Sequence, residues 1–390
     1  MHRPNGQHKT TAGMLHARNN NKMSERLFHV AAAPFEAARR VLTVPDQHPA
    51  HRLHGHSFVA RLRAELPPGW AAFAGGETDA LKAALDHCIA TLDYSDLNQH
   101  LAIPTDENLA RWVRRCLHVP GIKSVGIQST RDQGANLDAD EHASIWRRFR
   151  FEAAHQLPNV RRGHPCGRMH GHGFEVVLHA KQAQSDADRG IDLDALDVLW
   201  EPIQEELQYA CLNDIPGLEN PTSEMIAGWL WRRLKPQLPA LCWITVYETI
   251  TAGCHYDGTH YRIWKERRFE SALRLMQAPQ GDRRRRLHGH SYLLRLHLSA
   301  PLDQVLGWTV DYGDVKQCFE PVYKQLDHHL LNELPGLDRS DPASLARWMR
   351  ETIGARLPRL DRIDLHQTPG CGAVLCWGAS GPADAALVEG

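Results

Sequence analysis

The sequence predicts an α+β chain of three tandem units, each an antiparallel four-stranded sheet with two helices on one face. Two observations lead to this prediction. The tripeptide His-Gly-His occurs three times, beginning at His54, His170 and His288. Each copy also lies in the same succession of strand-like and helix-like segments. The distance from one His-Gly-His to the next is longer than the roughly 20–50 residues of a solenoid repeat, so the three copies indicate three small domains.

The second unit shows the elements in order. Apolar and polar residues alternate before and after its His-Gly-His, which predicts two strands. Helix-like stretches follow at Leu193–Tyr209 and Ser223–Leu234, and Thr222 provides a capping signal for the second helix. A strand at Cys242–Ile250 and a closing strand complete the unit. This order is typical of helices packed on one face of an antiparallel sheet.

The repeat also divides the chain. We assign the three units to residues 25–140, 141–262 and 263–380. Residues 1–24 are polar and lack any hydrophobic period, so we predict that they form a disordered tail.

Composition narrows the class of protein. Lys and Arg total 45 against 46 Asp and Glu, so no charge excess favours non-specific binding to nucleic acid. No apolar run reaches the roughly 18 residues that a membrane-spanning helix needs. Nine scattered cysteines suit reduced thiols better than a disulfide framework. We therefore expect a cytoplasmic protein with neither a nucleic-acid nor a membrane partner.

Twenty-five histidines direct attention to metal binding. In a strand, residues i and i+2 point to the same face, so His170 and His172 can reach one ion. His155, at the end of the preceding strand, completes a three-histidine site, and an open fourth position is typical of catalytic zinc. Cys166 lies in the loop just before His170, where a nearby cation would favour its thiolate. The first and third units have only two such histidines each, which we interpret as incidental.

Several segments resemble the bacterial 6-carboxytetrahydropterin synthases, which belong to the 6-pyruvoyltetrahydropterin synthase family of T-fold proteins. The resemblance covers essentially all of the second unit, extends into the third and holds only in outline for the first. The segments that carry it are Phe151–His155, Gly163–His172, Glu219–Glu224, Glu248-Thr249, Gly307–Tyr312 and Leu326–Asn332.

The resemblance implies both an activity and an assembly. It implies a zinc-dependent carbon–carbon lyase that converts 7,8-dihydroneopterin triphosphate to 6-carboxy-5,6,7,8-tetrahydropterin, releasing acetaldehyde and triphosphate. Such a reaction belongs to queuosine-type deazapurine biosynthesis. Three fused T-fold units would form a pseudo-trimeric barrel, and two such chains would pair face to face as a homodimer.

The resemblance also implies roles for individual residues. His155, His170 and His172 would bind Zn2+. Cys166 would act as the general base, and Glu248 would hold the pterin. Thr222 and Ser223 would either contact the pterin or only cap the helix that follows them.

An Asp-His pair that relays protons completes the pattern of the family. The second unit reads Gln208-Tyr209 at that position, whereas the third reads Asp327-His328. The third unit in turn lacks the first zinc histidine, the cysteine and the glutamate, and has Leu273, Arg284 and Gln367 instead. The first unit has Arg39, Ala50, Tyr94 and Ser129 at four of the positions. We therefore expect one composite site per chain, with Cys166 and His328 facing the same cavity.

Two alternatives stay open at this point. The enzyme could form 6-pyruvoyltetrahydropterin instead of the carboxy product. The chain could also be a non-catalytic pterin-binding or scaffold protein, in which Gln208-Tyr209 marks an inactive site.

Overall fold

Twelve strands of the chain close into one antiparallel barrel, which confirms the predicted α+β fold of three tandem T-fold units. The computed structural model describes residues 25–182 and 193–378. The tail predicted for residues 1–24 lies outside the described residues.

The three units repeat one order of elements, except that the first and third each have a short additional strand between their two helices. The first contains β1 (Arg26–Arg39), β2 (His54–Ala64), α1 (Glu77–Ile89), β3 (Ser95–Asp96), α2 (Asp106–Cys116), β4 (Ile122–Thr130) and β5 (Gln133–Leu137). The second contains β6 (Ala143–His155), β7 (His170–Lys181), α3 (Leu193–Leu207), α4 (Ser223–Leu234), β8 (Leu241–Thr249) and β9 (Ala252–Tyr256). The third contains β10 (Tyr261–Leu273), β11 (His288–Ser299), α5 (Tyr312–Leu326), β12 (His329–Leu330), α6 (Pro342–Ile353), β13 (Leu360–Thr368) and β14 (Cys371–Cys376).

The predicted elements of the second unit differ from the observed ones only at their ends. Helix α4 has the predicted bounds, and Thr222 caps it by accepting a hydrogen bond from the Met225 amide. Helix α3 ends at Leu207, two residues earlier than predicted. Tyr209 has a φ of 60°, a left-handed conformation that does not continue a right-handed helix.

Antiparallel pairing between units closes the barrel. Strand β5 pairs with β6, β9 with β10, and β14 with β1. The long hairpins β1–β2, β6–β7 and β10–β11 form the remaining wall together with β4, β8 and β13. Closure satisfies the backbone groups that an open sheet would leave at its edges.

Each unit has its own hydrophobic core between its helices and the outer face of the barrel. A stacked aromatic pair lies two residues beyond each His-Gly-His. The ring centroids are 4.9 Å apart for Phe35 and Phe58, 5.0 Å for Phe151 and Phe174, and 4.9 Å for Phe269 and Tyr292. The histidines therefore stand on rigid, well-packed strands.

The inner face of the barrel carries many buried polar and charged side chains beside small apolar clusters. Arg362 donates to Asp364 at 2.6 Å and Arg295 to Glu266 at 2.8 Å, and all four side chains are buried. Burial lowers the pKa of His297 and of His366 to about 4. These histidines are therefore neutral in the folded protein near neutral pH.

All nine cysteines lie in the described residues, and each is a free thiol. Within residues 25–182 and 193–378, none of the helices has the length and apolar character needed to cross a bilayer.

Candidate active site between the second and third units

Three histidines of the second unit converge on one point, as predicted. Pairing of β6 with β7 sets His155 opposite His170 and Ala153 opposite His172. The imidazole centroids are 4.4 Å apart for His155 and His170, 5.1 Å for His155 and His172, and 5.0 Å for His170 and His172. One ligand atom from each histidine and one carboxylate oxygen of Glu248 all lie within 4.8 Å of one another.

Hydrogen bonds orient two of these imidazoles toward that point. Nδ1 of His155 donates to the Pro221 carbonyl at 3.0 Å, and Nδ1 of His170 donates to the Arg168 carbonyl at 2.8 Å. Their Nε2 atoms therefore keep a free lone pair, as in metal-bound histidines.

The chemistry of the cluster fits a divalent metal ion. Nε2 of His155 and Nε2 of His172 are buried and have no hydrogen-bond partner among the described residues. Burial lowers the pKa of His155 to about 4 and lowers that of His172, so both rings are neutral and ready to bind a cation. Buried polar atoms without partners are costly, and a metal ion would satisfy them.

A cavity of about 360 Å³ opens between the second and third units. Its wall combines Cys166, Thr222 and Glu248 of the second unit with Trp308 and Asp311 of the third. The structure thus brings three of the predicted site residues together. Sequence reasoning expected the third unit to contribute Asp327 and His328 and did not predict Trp308 or Asp311 in the wall, although the Gly307–Tyr312 motif was the available signal.

Residues 303–312 of the third unit form an inter-unit strap across the second unit. Asn220 Nδ2 donates to the Leu306 carbonyl at 2.7 Å, and Thr222 donates to the Gly307 carbonyl. The buried Glu224 accepts from the Thr309 amide at 2.7 Å. The strap therefore fixes the third unit against the end of the second unit that carries the three-histidine cluster.

Ser223 is packed inside the protein and does not face the cavity. It is fully buried at the start of α4, and its hydroxyl hydrogen-bonds the Tyr312 hydroxyl at 2.8 Å. Unlike Thr222, it is not part of the cavity wall.

The acidic and thiol groups of the cavity have shifted pKa values. Burial, followed by the charge of Glu224, raises the pKa of Glu248 to about 7. Burial, followed by the charges of Glu248 and Asp311, raises the pKa of the Cys166 thiol. A thiolate at Cys166 therefore requires a nearby cation.

The structure does not bring Asp327 and His328 into this cavity. Helix α5 contributes Tyr312 and Gln317 to the wall, and the helix then continues for about 15 Å before reaching Asp327. Nδ1 of His328 lies 3.0 Å from Asp327 Oδ2, and the His328 side chain is 77% exposed. The expectation that Cys166 and His328 share a cavity within one chain is therefore not met, because the helix separates them.

Arginines fill the corresponding positions at the other two unit interfaces. Arg39, in the position of His155, donates to Asp106 at 2.6 Å, and Asp106 also accepts from Ser129 at 2.6 Å. Arg284, in the position of Cys166, donates to Asp79 of the first unit at 2.9 Å. Gln367 donates to the same carboxylate at 3.1 Å.

Known proteins resemble this chain over the length of single units. A family model described as 6-pyruvoyl tetrahydropterin synthase matches residues 30–136, 144–259 and 262–376. A Synechocystis protein named 6-carboxy-5,6,7,8-tetrahydropterin synthase is 36% identical over 119 residues, which is 29% of this chain and 91% of the relative. A Pyrococcus furiosus protein named dihydroneopterin monophosphate aldolase is 30% identical over 94 residues, which is 23% of this chain and 79% of the relative. The solved 6-pyruvoyl tetrahydropterin synthase of Caenorhabditis elegans aligns at 19% identity and a TM-score of 0.27, covering 30% of this chain and 95% of that chain.

The three family matches follow the internal repeat of the chain. Each match takes in one His-Gly-His hairpin and the elements after it, and together they account for most of the sequence. The chain therefore belongs to the 6-pyruvoyl tetrahydropterin synthase family, as a fusion of three T-fold units.

Proposed function

We propose that this pterin-processing protein is a zinc-dependent lyase that converts 7,8-dihydroneopterin triphosphate to 6-carboxy-5,6,7,8-tetrahydropterin, with release of acetaldehyde and triphosphate. One observation carries the proposal: Glu248 belongs both to the three-histidine cluster and to the wall of the cavity that Cys166 lines. The 36% identity to a protein named for this activity supports the choice of product. We expect the enzyme to act in the cytoplasm.

The metal in this proposal is zinc, held by His155, His170 and His172. Three neutral imidazoles with room for a further ligand suit catalytic zinc. When bound there, zinc supplies Lewis-acid stabilisation of negative charge that develops on a substrate oxygen.

The other residues of the cavity bind the substrate and move protons. Glu248 offers a partly buried carboxylate that can accept two parallel hydrogen bonds from the N–H edge of a pterin. Such donors would stabilise the ionised form of Glu248, which burial disfavours, as its raised pKa indicates. Cys166, as thiolate, removes a proton from the substrate side chain. Thr222 uses its hydroxyl to hold the strap, so its role at the cavity is to shape the wall.

The proton relay of Asp327 and His328 is supplied by a second copy of the chain in this proposal. Asp327 accepts from the Glu270 amide at 3.0 Å, which fixes its carboxylate beside His328. The imidazole donates from Nδ1 to Asp327 and leaves Nε2 for proton transfer in an exposed position. A composite site is retained, but its two halves come from different chains.

A homodimer of face-to-face pseudo-trimers meets this requirement under one condition. A two-fold axis perpendicular to the barrel axis places one unit of the chain opposite the same unit of the partner. Each of the other two units then lies opposite a different unit of the partner. If that axis passes through the first unit, the second unit of one chain faces the third unit of its partner. Each dimer then has two equivalent composite sites.

The product distinguishes this proposal from its alternatives. Purified, zinc-loaded protein should be incubated with 7,8-dihydroneopterin triphosphate, and acetaldehyde and pterin products should be measured. Acetaldehyde and the 6-carboxy product support the proposal. A 6-pyruvoyl product selects the alternative lyase, whereas pterin binding without turnover selects the non-catalytic alternative.

A further inference from the structure

A hydrogen-bonded chain links the third unit to the backbone of Cys166. His164 Nε2 donates to Asp311 Oδ2 at 3.0 Å, and His164 Nδ1 accepts from the Cys166 amide at 3.2 Å. The two side chains are only 12% and 18% exposed. Asp311 belongs to the third unit, so the chain crosses the unit interface.

The two hydrogen bonds fix the state of His164. A carboxylate accepts and an amide N–H donates, so the ring is neutral, with its hydrogen on Nε2. Both ring nitrogens are engaged, which leaves neither for the substrate. In this arrangement His164 therefore does not act as a general acid or base, although it lines the cavity.

The first unit has the same arrangement without a cysteine. His48 Nδ1 accepts from the Ala50 amide at 3.1 Å, and His48 Nε2 lies 2.9 Å from Asp194 Oδ2 of the second unit. Ala50 stands in the position of Cys166. The arrangement thus occurs in two of the three units, and only one of these copies carries a cysteine; in the third unit Asp282 caps the equivalent turn.

We propose that Asp311, acting through His164, is a positioning residue that holds the Cys166 thiol in its working orientation above the metal site. This inference rests on the proposed function of Cys166. The short 3₁₀ turn Pro165–Gly167 carries the thiol, and the His164 imidazole caps that turn. A rigid cap limits the orientations of the thiol, and reacting groups misplaced by about 1 Å can lose roughly 10²-fold in rate.

In this proposal a residue of the third unit orients the reactive cysteine of the second unit. Asp311 immediately precedes α5 and belongs to the strap, which hydrogen bonds to Asn220, Thr222 and Glu224 hold in place. Docking of the third unit and orientation of Cys166 are therefore coupled. Without Asp311, His164 loses the partner that selects its tautomer.

Three single variants and one double variant test the proposal, with kcat, KM, zinc content and thermal stability measured for each. His164→Leu removes both hydrogen bonds. His164→Asn keeps an acceptor near the Cys166 amide but loses the link to Asp311. His48→Leu is the matched control, because it removes the same bridge at an interface without a cysteine.

We expect His164→Leu to lower kcat by roughly 10²-fold, with little change in KM and with zinc retained. His164→Asn should recover part of this loss, and His48→Leu should leave kcat unchanged. Adding Asp311→Ala to His164→Leu should lower kcat no further, because Asp311 acts through His164. Equal kcat losses in His164→Leu and His48→Leu would overturn the proposal, as would a loss confined to KM or to zinc content.

The test remains decisive even if the wild-type chain turns over no pterin. In that case the proposed function fails, and alkylation of Cys166 by iodoacetamide reports its orientation instead. A several-fold change in alkylation rate in His164→Leu, but not in His48→Leu, supports the positioning role. Equal rates in the wild-type chain and both variants overturn it.

Discussion

Arg39 of the first unit occupies the position that His155 has in the second, and its Nη1 lies 2.6 Å from the Asp106 carboxylate. The guanidinium thus provides positive charge where the second unit has an imidazole of its three-histidine cluster. A built-in cation and a metal ion exclude each other from the same position by charge and by volume. The first unit therefore lacks the three-histidine arrangement of the second.

The replacement of a cluster histidine by Arg39 in the first unit, and by Leu273 in the third, predicts one tightly bound zinc per chain. Elemental analysis of the purified protein should give a ratio near one, and His155→Ala should lose the metal. His56→Ala, which removes a histidine of the first unit, is the matched control and should retain it. Two or three zinc ions per chain would contradict the account.

Replacing Arg39 should destabilise the fold. Arg39→Met leaves the buried Asp106 without its cation, and breaking a buried ion pair in this way costs about 3–5 kcal/mol. Thermal or chemical unfolding should show the loss, and adding Asp106→Asn should restore part of it. Arg40→Met, at the adjacent exposed residue, is the control. An unfolding transition of Arg39→Met that equals the wild type would show that the pair is not stabilising.

The charged interior of the barrel predicts a loss of stability in mild acid. His366 has a pKa of about 4 in the folded chain, below its ordinary value near 6.5. The unfolded chain therefore binds more protons between these values. The stability from the neutral ring is complete above about pH 6.5 and falls by up to about 1.4 kcal/mol per pH unit toward pH 4.

The unfolding temperature measured from pH 7.5 to 4.5 should therefore fall, and it should fall less steeply in His366→Gln. His260→Gln, whose imidazole is 83% exposed, should follow the wild type. An unchanged slope in His366→Gln would mean that this histidine does not titrate on unfolding.

Cys166 and His328 should behave as one catalytic unit. Cys166→Ala and His328→Ala should each abolish turnover while zinc remains bound, because neither residue is a metal ligand. The double variant should be little worse than either single one, since residues that act together are not additive. Tyr94→Phe and Tyr209→Phe, at the equivalent position of the other units, should cost far less. Steady-state kinetics with zinc analysis provides the measurement, and additive losses would contradict the prediction.

The internal repeat made the fold predictable, whereas the assembly of the site was only partly so. Spacing within one strand and across one hairpin sufficed to bring His155, His170 and His172 together, because strand geometry is regular. The position of His328 depends on the length and direction of α5, which the residue pattern alone does not relate to Cys166. The same holds for Asp311, whose approach to His164 depends on how two units dock.

The sequence shows which residues replace the site residues at the other two unit interfaces, but it does not show the ion pairs that these residues form. Arg39 and Arg284 could be recognised as departures from the site pattern. Their partners Asp106 and Asp79 are distant in sequence and belong, for Arg284, to another unit. Such charge pairs follow from tertiary packing and not from local periodicity.

Mixing two inactive variants tests the central claim that the active site is shared between two chains. Cys166→Ala and His328→Ala should be purified separately, mixed, allowed to exchange subunits and assayed with 7,8-dihydroneopterin triphosphate. A mixed dimer joins the intact Cys166 of one chain to the intact His328 of its partner, so one of its two sites is complete. The account predicts recovery of about one quarter of the wild-type rate in an equal, fully exchanged mixture, because half of the dimers are mixed. No recovery, in a mixture shown by mass to contain mixed dimers, would contradict it.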